Sequence, residues 1–144
     1  MSQKKKEYLI GVLLGLLIGL MFFHKLCFGQ TVTANEVELL ARVSQAEAGN
    51  QSVMGRRLVV ATVINRTEHE AFPDSIEAVL AQEGQFTTYK HLSSVQATPE
   101  DYTAVYQELN QTCNSNVLFF QRGGYGCGDP LMQYEDHYFS TLAD

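Results

Sequence analysis

The chain has 144 residues, of which ten are Lys or Arg and sixteen are Asp or Glu, giving a formal net charge of -6. Four of the basic residues and one acid lie in residues 1–29, so the remainder has six basic and fifteen acidic residues, a net charge of -9. This length corresponds to one folded domain, and an acidic domain without a basic run excludes nucleic acid as a partner.

Residues 1–29 are predicted to be a membrane anchor. Three lysines, Lys4 to Lys6, precede the uncharged run Tyr8–Phe23. A helix over this run spans about 24 Å at ~1.5 Å per residue, close to the thickness of a bilayer core. The lysines place the N-terminus in the cytoplasm and the rest of the chain outside it. We expect an uncleaved signal anchor through residues 8–28, with cleavage and secretion as the alternative.

The anchor carries Gly11, Gly15 and Gly19 at four-residue spacing. Such a face of small residues packs helix pairs in membranes and makes a homodimer a candidate, although glycine is also common in unpaired membrane helices. A linker over residues 30–34 then leads to the second predicted domain, residues 35–144.

The first helix of that domain is predicted over Glu36–Ala48. Asn35 is the expected cap, and Glu38 completes a capping-box pattern. Gly49 and Asn50 follow the last periodic residue and indicate the helix end.

Glu47 lies on the apolar stripe of this helix, after Leu40 and Val43. A buried acid is costly unless it is paired or used, and burial favours the protonated form that a general acid needs. The structural alternatives are a side chain that leans into solvent and an ion pair with Arg42 or Arg56.

Three further helices are predicted. The second covers Val53–Arg66, and the third begins at Pro73–Asp74 with a capping box to Glu77 and ends at Gly84. The fourth begins at Thr98–Pro99, where threonine caps and proline takes the first helical position. The predicted buried residues of these helices are Leu58, Val59, Thr62 and Val63; Ile76, Val79 and Leu80; and Tyr102, Val105, Tyr106 and Leu109.

Strands are expected around these helices. Gln85–Tyr89 is short and β-prone, and Val117–Gln121 and His137–Thr141 have strand composition. The glycine-rich connection at residues 123–128 lacks the frame of a phosphate-binding loop. Helices followed by a small antiparallel sheet define an α+β fold.

Cys113 and Cys127 are expected outside the cytoplasm, where they can form a disulfide. Closing this loop of about 15 residues contributes ~3 kcal/mol in the chain-entropy estimate. The alternatives are two free thiols, or a nucleophilic cysteine assisted by His137.

No metal or other cofactor is predicted, because no histidine pair has a ligand spacing. His137, Asp129, Glu135 and Asp136 are interpreted as a solvated surface cluster rather than an ion site.

A single acid suits a particular kind of glycan cleavage. Glycoside hydrolysis usually takes two carboxylates, but Glu68, Glu70 and Glu83 lack the apolar context of Glu47. In lytic transglycosylation the muramyl C6 hydroxyl is the nucleophile, so one Glu serves as acid and then base. Polar neighbours of suitable type follow at Gln85, Thr87, Thr88 and Tyr89.

The segments in order are EVELLARVSQAEAG, GRRLVVATVINR, FPDSIEAVL, GQFTTY, NVLFF and HYFST. Together they resemble the SleB/CwlJ family of bacterial cell-wall hydrolases over about residues 36–141. The resemblance implies a compact lysozyme-related domain that cleaves the MurNAc–GlcNAc backbone of peptidoglycan. It assigns the catalytic acid to Glu47. The predicted substrate contacts are Gln85, Phe86, Thr87, Tyr89 and His137.

Two alternatives to this function remain, an amidase that releases stem peptides and a non-catalytic wall-binding module.

The chain also departs from the family. Gly49-Asn50-Gln51 replaces a segment that usually carries an acid, and a membrane anchor stands in place of a wall-binding repeat module. Wall remodelling at the membrane, or clearing a path for a secretion or conjugation apparatus, fits this architecture better than germination.

Overall fold

The computed structural model describes residues 31–143, and residues 33–143 belong to one structural unit. The predicted anchor and its glycine face at Gly11, Gly15 and Gly19 lie outside the described residues. Within residues 31–143, no helix is both long and apolar enough to cross a membrane.

Helices form the first part of this unit and a three-stranded sheet forms the second, so the predicted α+β class is confirmed. The helical elements are α1 Ala34–Ala48, α2 Val53–Glu68, α3 Ile76–Leu80, a 3-10 helix Thr87–Ser94 and α4 Pro99–Asn110. The strands are β1 Phe119–Arg122, β2 Asp129–Tyr134 and β3 His137–Thr141.

Two helix caps differ from the predicted ones. Thr33, not Asn35, caps α1: its side chain accepts from the Glu36 backbone N–H at 3.3 Å, and the Glu36 carboxylate accepts from the Thr33 N–H at 2.8 Å. Ser75, not Asp74, caps α3. The predicted start of α4 at Thr98 and Pro99 is confirmed.

The buried face of α4 is rotated from the predicted stripe. Val105 is buried as expected, but Tyr106 is 55% exposed, and the inward face instead carries Asp101 and Glu108. These two acids turn inward because each pairs with an arginine of α2, Arg56 and Arg57 respectively. Paired acids can occupy buried positions that periodicity assigns to apolar residues.

Helix α2 is the centre of the fold. It packs against α1 and α4 and also contacts α3 and β1. All four residues predicted for its buried side are buried, together with Val60 and Ala61, because neighbours surround the helix.

The sheet is antiparallel with strand order β1-β3-β2. Phe139 of central strand β3 pairs with Phe120 and Met132 on the face that packs on α2. The strand predicted at His137–Thr141 is confirmed, and the one at Val117–Gln121 lies slightly later. The β-prone segment Gln85–Tyr89 is not a strand, since its second half belongs to the 3-10 helix.

The predicted disulfide is not formed, because Cys113 and Cys127 are both free in the structure. Cys113 packs on the cluster that contains Phe139, whereas the Cys127 carbonyl accepts a hydrogen bond from the Ser140 hydroxyl. Neighbouring strand residues point to opposite faces of a sheet. The two cysteines therefore lie on opposite sides of β3.

Candidate active site

Glu47 lies in the last turn of α1 with its side chain partly exposed. The Thr88 hydroxyl donates to Glu47 Oε1 at 2.6 Å and links the end of α1 to the 3-10 helix. Within residues 31–143 this is the one hydrogen bond made by the carboxylate, so Oε2 is open for a further partner. The carboxylate is therefore oriented at one oxygen and available at the other.

One structural alternative for Glu47 was an ion pair with Arg42 or Arg56; the other, a side chain that leans into solvent, agrees with its partial exposure. Arg42 instead donates to Glu38 at 2.7 Å, and Arg56 is paired with buried Asp101. Both arginines are thus engaged elsewhere. The Glu47 side chain is left with the neutral donor Thr88.

Arg122, at the end of β1, is a site residue that sequence reasoning missed. Its Nη2 donates to the Glu47 carbonyl at 2.8 Å and to Asn50 Oδ1 at 3.2 Å. Helix α1 has no basic residue in its last turn, so Arg122 supplies the cation that favours a helix C-terminus. A signal was present, since Arg122 is the only Lys or Arg after Lys90.

Asn50 continues this polar network beyond the helix end. Its Nδ2 donates to Asp136 Oδ2 at 2.9 Å, while its Oδ1 accepts from Arg122. The position where the sequence departs from the family pattern therefore carries a neutral bridge between Arg122 and an acid of the β2–β3 turn.

The turn after Glu47 is fixed from beneath by Arg56, which is 7% exposed. Its Nη2 donates to the Gly49 carbonyl, and its Nε donates to the Gln51 carbonyl at 3.1 Å. A Cβ at Gly49 would lie 2.5 Å from the Gln45 carbonyl oxygen, a distance that real Cβ contacts do not reach. Glycine is required there by the close approach of the preceding turn.

Phe86, which is predicted as a substrate contact, is 5% exposed and belongs to the core. Its ring lies beneath Arg66, whose guanidinium carbon is 5.0, 5.3 and 5.1 Å from the ring centres of Phe72, Phe86 and Phe119. Arg66 Nε also donates to the Leu118 carbonyl at 2.6 Å. Burial lowers the pKa of Arg66 to about 10, which leaves it a cation at neutral pH.

Arg66 thereby holds in place the 3-10 helix and β1, the two elements that contact Glu47. Phe86 directly precedes the 3-10 helix that carries Thr88, and its carbonyl accepts from the Tyr89 N–H at 3.0 Å. Phe119 begins the strand that carries Arg122. Asn65 and Arg66 at the end of α2 both donate to backbone carbonyls before β1, so this pair is an internal anchor.

His137, also predicted as a substrate contact, is 1% exposed. Its Nδ1 is 2.6 Å from Gln51 Nε2, and its ring lies 5.2 Å from that of Phe120. Burial lowers the pKa of His137, and Arg122 lowers it further. A neutral ring that accepts from Gln51 is consistent with this environment.

The geometry does not favour a Cys–His nucleophile. Burial raises the pKa of Cys113 to about 12, helped by its hydrogen bond with Glu108, so the thiol stays protonated. Cys127 is exposed on the loop beyond β1, while His137 is directed into the core.

The remaining predicted substrate contacts lie on the surface of the 3-10 helix and of the segment just before it. Gln85 and Thr87 are exposed, and Tyr89 is partly exposed. Tyr89 borders two cavities, one of about 460 Å³ beside α1 and one of about 180 Å³ beside the end of α3. These surfaces are accessible to a polymer that reaches Thr88.

The acids considered as ion ligands or as catalytic partners of Glu47 either bond to other groups or are exposed to solvent. Glu135 accepts from the Ser52 N–H at 3.0 Å at the start of α2, and Asp136 binds Asn50. No group of three potential ligands converges anywhere in residues 31–143. The acids Glu68, Glu70 and Glu83 are exposed.

The fold and this site define an α+β domain with one oriented, accessible carboxylate at a helix end. The sequence matches the family described as Cell Wall Hydrolase over residues 50–139, and the chain belongs to that family of enzymes. Glu47 lies three residues before the matched range. A search of curated proteins found no match.

Two solved structures have the same fold. The catalytic domain of the Bacillus cereus SleB protein superposes with a TM-score of 0.70 at 18% identity, covering 78% of this chain and 94% of that one. The catalytic domain of SleB from Bacillus anthracis, described as a germination-specific lytic transglycosylase, gives a TM-score of 0.70 at 16% identity. That match covers 79% of this chain and 100% of the other.

Proposed function

We propose that the domain cleaves the MurNAc–GlcNAc backbone of peptidoglycan as a lytic transglycosylase, with Glu47 as the single acid and base. The observation that carries this proposal is the Thr88–Glu47 hydrogen bond at 2.6 Å. It fixes one carboxylate oxygen and leaves the other for a substrate oxygen. The similarity to a protein described as a lytic transglycosylase supports the choice of reaction.

In the first step Glu47, protonated on the free oxygen, gives its proton to the glycosidic oxygen as the bond to the muramyl C1 breaks. The transition state resembles an oxocarbenium ion. In the second step the Glu47 carboxylate takes the proton of the muramyl C6 hydroxyl, whose oxygen bonds to C1. The product carries a 1,6-anhydro ring, and Glu47 is protonated again without a water molecule being consumed.

The contacts around Glu47 hold it in one orientation, which suits its role as the acid and base. Arg122 holds the carbonyl of Glu47, and Thr88 holds its carboxylate, so backbone and side chain are fixed from two elements. Positioned groups contribute more to catalysis than mobile ones. Gln85, Thr87 and Tyr89 are the proposed contacts to the glycan beside the cleaved bond.

Hydrolysis is the second candidate reaction, and one observation favours it. Asp136 Oδ2 accepts from Asn50 Nδ2 at 2.9 Å, and Asn50 in turn accepts from Arg122. A second carboxylate is therefore linked to the hydrogen-bond network around Glu47. A water molecule activated there would give a reducing end instead of an anhydro ring.

The experiment is mass spectrometry of purified peptidoglycan digested by residues 30–144. The variants are Glu47→Gln, Asp136→Asn and, as a matched control, the exposed acid Glu83→Gln. We expect anhydro-muramic products from the wild type and Glu83→Gln, with a loss of at least about 100-fold in Glu47→Gln. Asp136→Asn retains the anhydro product if transglycosylation is correct.

Other products identify the alternatives. Reducing ends that disappear in Asp136→Asn would establish hydrolysis. Freed stem peptides would establish an amidase. Wall binding without any product from the wild type would make the domain a non-catalytic wall-binding module.

We also propose that the domain works outside the cytoplasm, held at the membrane by residues 8–28, as the lysines before that run indicate. Wall remodelling close to the membrane is the process that fits such a short linker. Recovery of the full-length protein in the soluble fraction of cells would contradict the anchor.

A further inference from the structure

The glycine-rich loop at residues 123–128 joins β1 to β2 and follows the outer face of the sheet. Gly123, Gly124 and Gly128 have φ values of 81°, 151° and 73°, which favour glycine. A Cβ at Gly128 would lie 1.8 Å from the Thr141 carbonyl oxygen. The backbone is therefore held against the sheet in a conformation that other residues adopt only with strain.

This loop presents one aromatic side chain to solvent. Tyr125 is 44% exposed, and its ring packs edge-on against Tyr138 with 5.1 Å between the ring centres. Gly126 lies so close to Gln121 that a Cβ there would be 1.6 Å from Gln121 Oε1. Four ordered glycines are entropically costly, and the loop that they form places exposed Tyr125 on partly exposed Tyr138.

Two amide side chains flank the pair. Tyr138 is paired across the sheet with Gln121 of β1 on one side and with Gln133 of β2 on the other. Directly paired residues share a face with Cβ atoms about 5 Å apart. Gln121 and Gln133 are exposed, so the outer face carries an amide, a ring and an amide in one row.

The chemistry of this row fits an uncharged sugar. Residues 123–128 contain no charged side chain, whereas the chain beyond residue 29 has a net charge of -9. An ionic ligand would find no opposite charge on the row. A pyranose ring offers C–H groups that pack on an aromatic face, and its hydroxyl and acetamido groups bond to amides, which donate and accept.

The row lies next to the site around Glu47 but on the other face of β1, because Gln121 of the row and Arg122 of the site are neighbours on this strand. Arg122, which contacts the Glu47 carbonyl, directly precedes the loop. Tyr125 follows three residues later, which limits its Cα to about 11 Å from that of Arg122. Since β1 is an edge strand, a glycan strand bound at Glu47 would reach Tyr125 by passing around this edge of the sheet.

We propose that Tyr125 and Tyr138, with Gln121 and Gln133, form a stacking subsite for an N-acetylated sugar of the glycan strand. The identity of the strand rests on the proposed function. The subsite adds binding energy away from the cleaved bond, so it acts on substrate affinity rather than on the chemical step.

The test is binding of full-length Glu47→Gln protein to purified glycan strands from which the stem peptides have been removed. Tyr125→Ala is expected to weaken binding about tenfold, the effect of losing one well-packed aromatic contact. Tyr125→Phe keeps the ring and is expected to bind within about twofold of the parent. The matched control is Tyr106→Ala, because Tyr106 is 55% exposed on α4.

Two results overturn the subsite: Tyr125→Ala that binds like the parent, or Tyr106→Ala that weakens binding equally. In the active enzyme, Tyr125→Ala is expected to raise KM about tenfold with kcat unchanged. Failure of the proposed function is distinct from failure of the subsite. If the wild type cleaves nothing and Tyr125→Ala alone loses glycan binding, the reaction is refuted and the subsite stands.

Discussion

Replacing Arg56 by methionine should strongly destabilise the domain, because the substitution leaves a buried acid without its cation. Asp101 is 0% exposed and is paired with Arg56. Its carboxylate also accepts from Ser44 Oγ at 2.8 Å and from the Thr98 N–H at 2.8 Å. Hydrogen bonds from neutral groups remain after the substitution, but the neutralising charge does not.

Breaking a buried pair by removing one partner costs about 3–5 kcal/mol. Domains are stable by about 5–15 kcal/mol, so Arg56→Met removes a large share of that stability. For a domain of this size, about 4 °C of melting temperature is lost per kcal/mol, which gives a fall of about 12–20 °C. Arg56 also donates to the carbonyls of Gly49 and Gln51, so the turn after Glu47 loosens as well.

Thermal and urea unfolding followed by circular dichroism measure this effect. The matched control is Lys90→Met, since Lys90 is exposed on the 3-10 helix, and its loss is expected to change stability by less than about 0.5 kcal/mol. The double variant Arg56→Met, Asp101→Asn removes the stranded charge and should recover part of the loss. A single Arg56→Met variant within about 1 kcal/mol of the wild type would refute the reasoning.

Three further predictions concern Thr88, His137 and the cysteines. Thr88→Val should lower kcat about tenfold, because one hydrogen bond to the Glu47 carboxylate is lost. Thr88→Ser keeps the hydroxyl and should restore activity. A valine variant as active as the wild type in a peptidoglycan assay would contradict the role of Thr88. Burial lowers the folded-state pKa of His137 below 6.5, so the unfolded state binds a proton first as pH falls. Stability should therefore fall below about pH 6.5, by at most ~1.4 kcal/mol per pH unit, until the pH reaches the folded-state pKa. Urea titrations should show a weaker fall for His137→Gln, and parallel curves would exclude the effect. Iodoacetamide should label Cys127 in the native protein but not Cys113, whose pKa is about 12; peptide mapping that finds a Cys113–Cys127 bridge would contradict the free thiols.

Local chemistry predicted the elements whose signals are local. Thr98 and Pro99 begin α4 as expected, and His137–Thr141 is a strand, because capping and β-propensity act over a few residues. The segment Gln85–Tyr89 has the composition of a strand, but Phe86 is held under Arg66 at the end of α2. That tertiary contact prevails over propensity.

The candidate site could be predicted only in part, because a local pattern indicates single residues but not their long-range contacts. Glu47 was found by its place on the helical stripe, yet the structure leaves it partly exposed beside buried Ser44 and Ala48. Arg122 contacts Glu47 across 75 residues of sequence, a relation that no local pattern contains. Phe86 and His137 have residue types common in binding sites, and only their three-dimensional neighbours show that they are core residues.

The aromatic surroundings of Arg66 have a consequence for how the domain comes apart in acid. The partners of Arg66 are three benzene rings and a carbonyl, none of which titrates. The packing that Arg66 provides is therefore the same in acid as at neutral pH. Amide exchange should show continued protection at the end of α2, the start of the 3-10 helix and β1 as the pH falls.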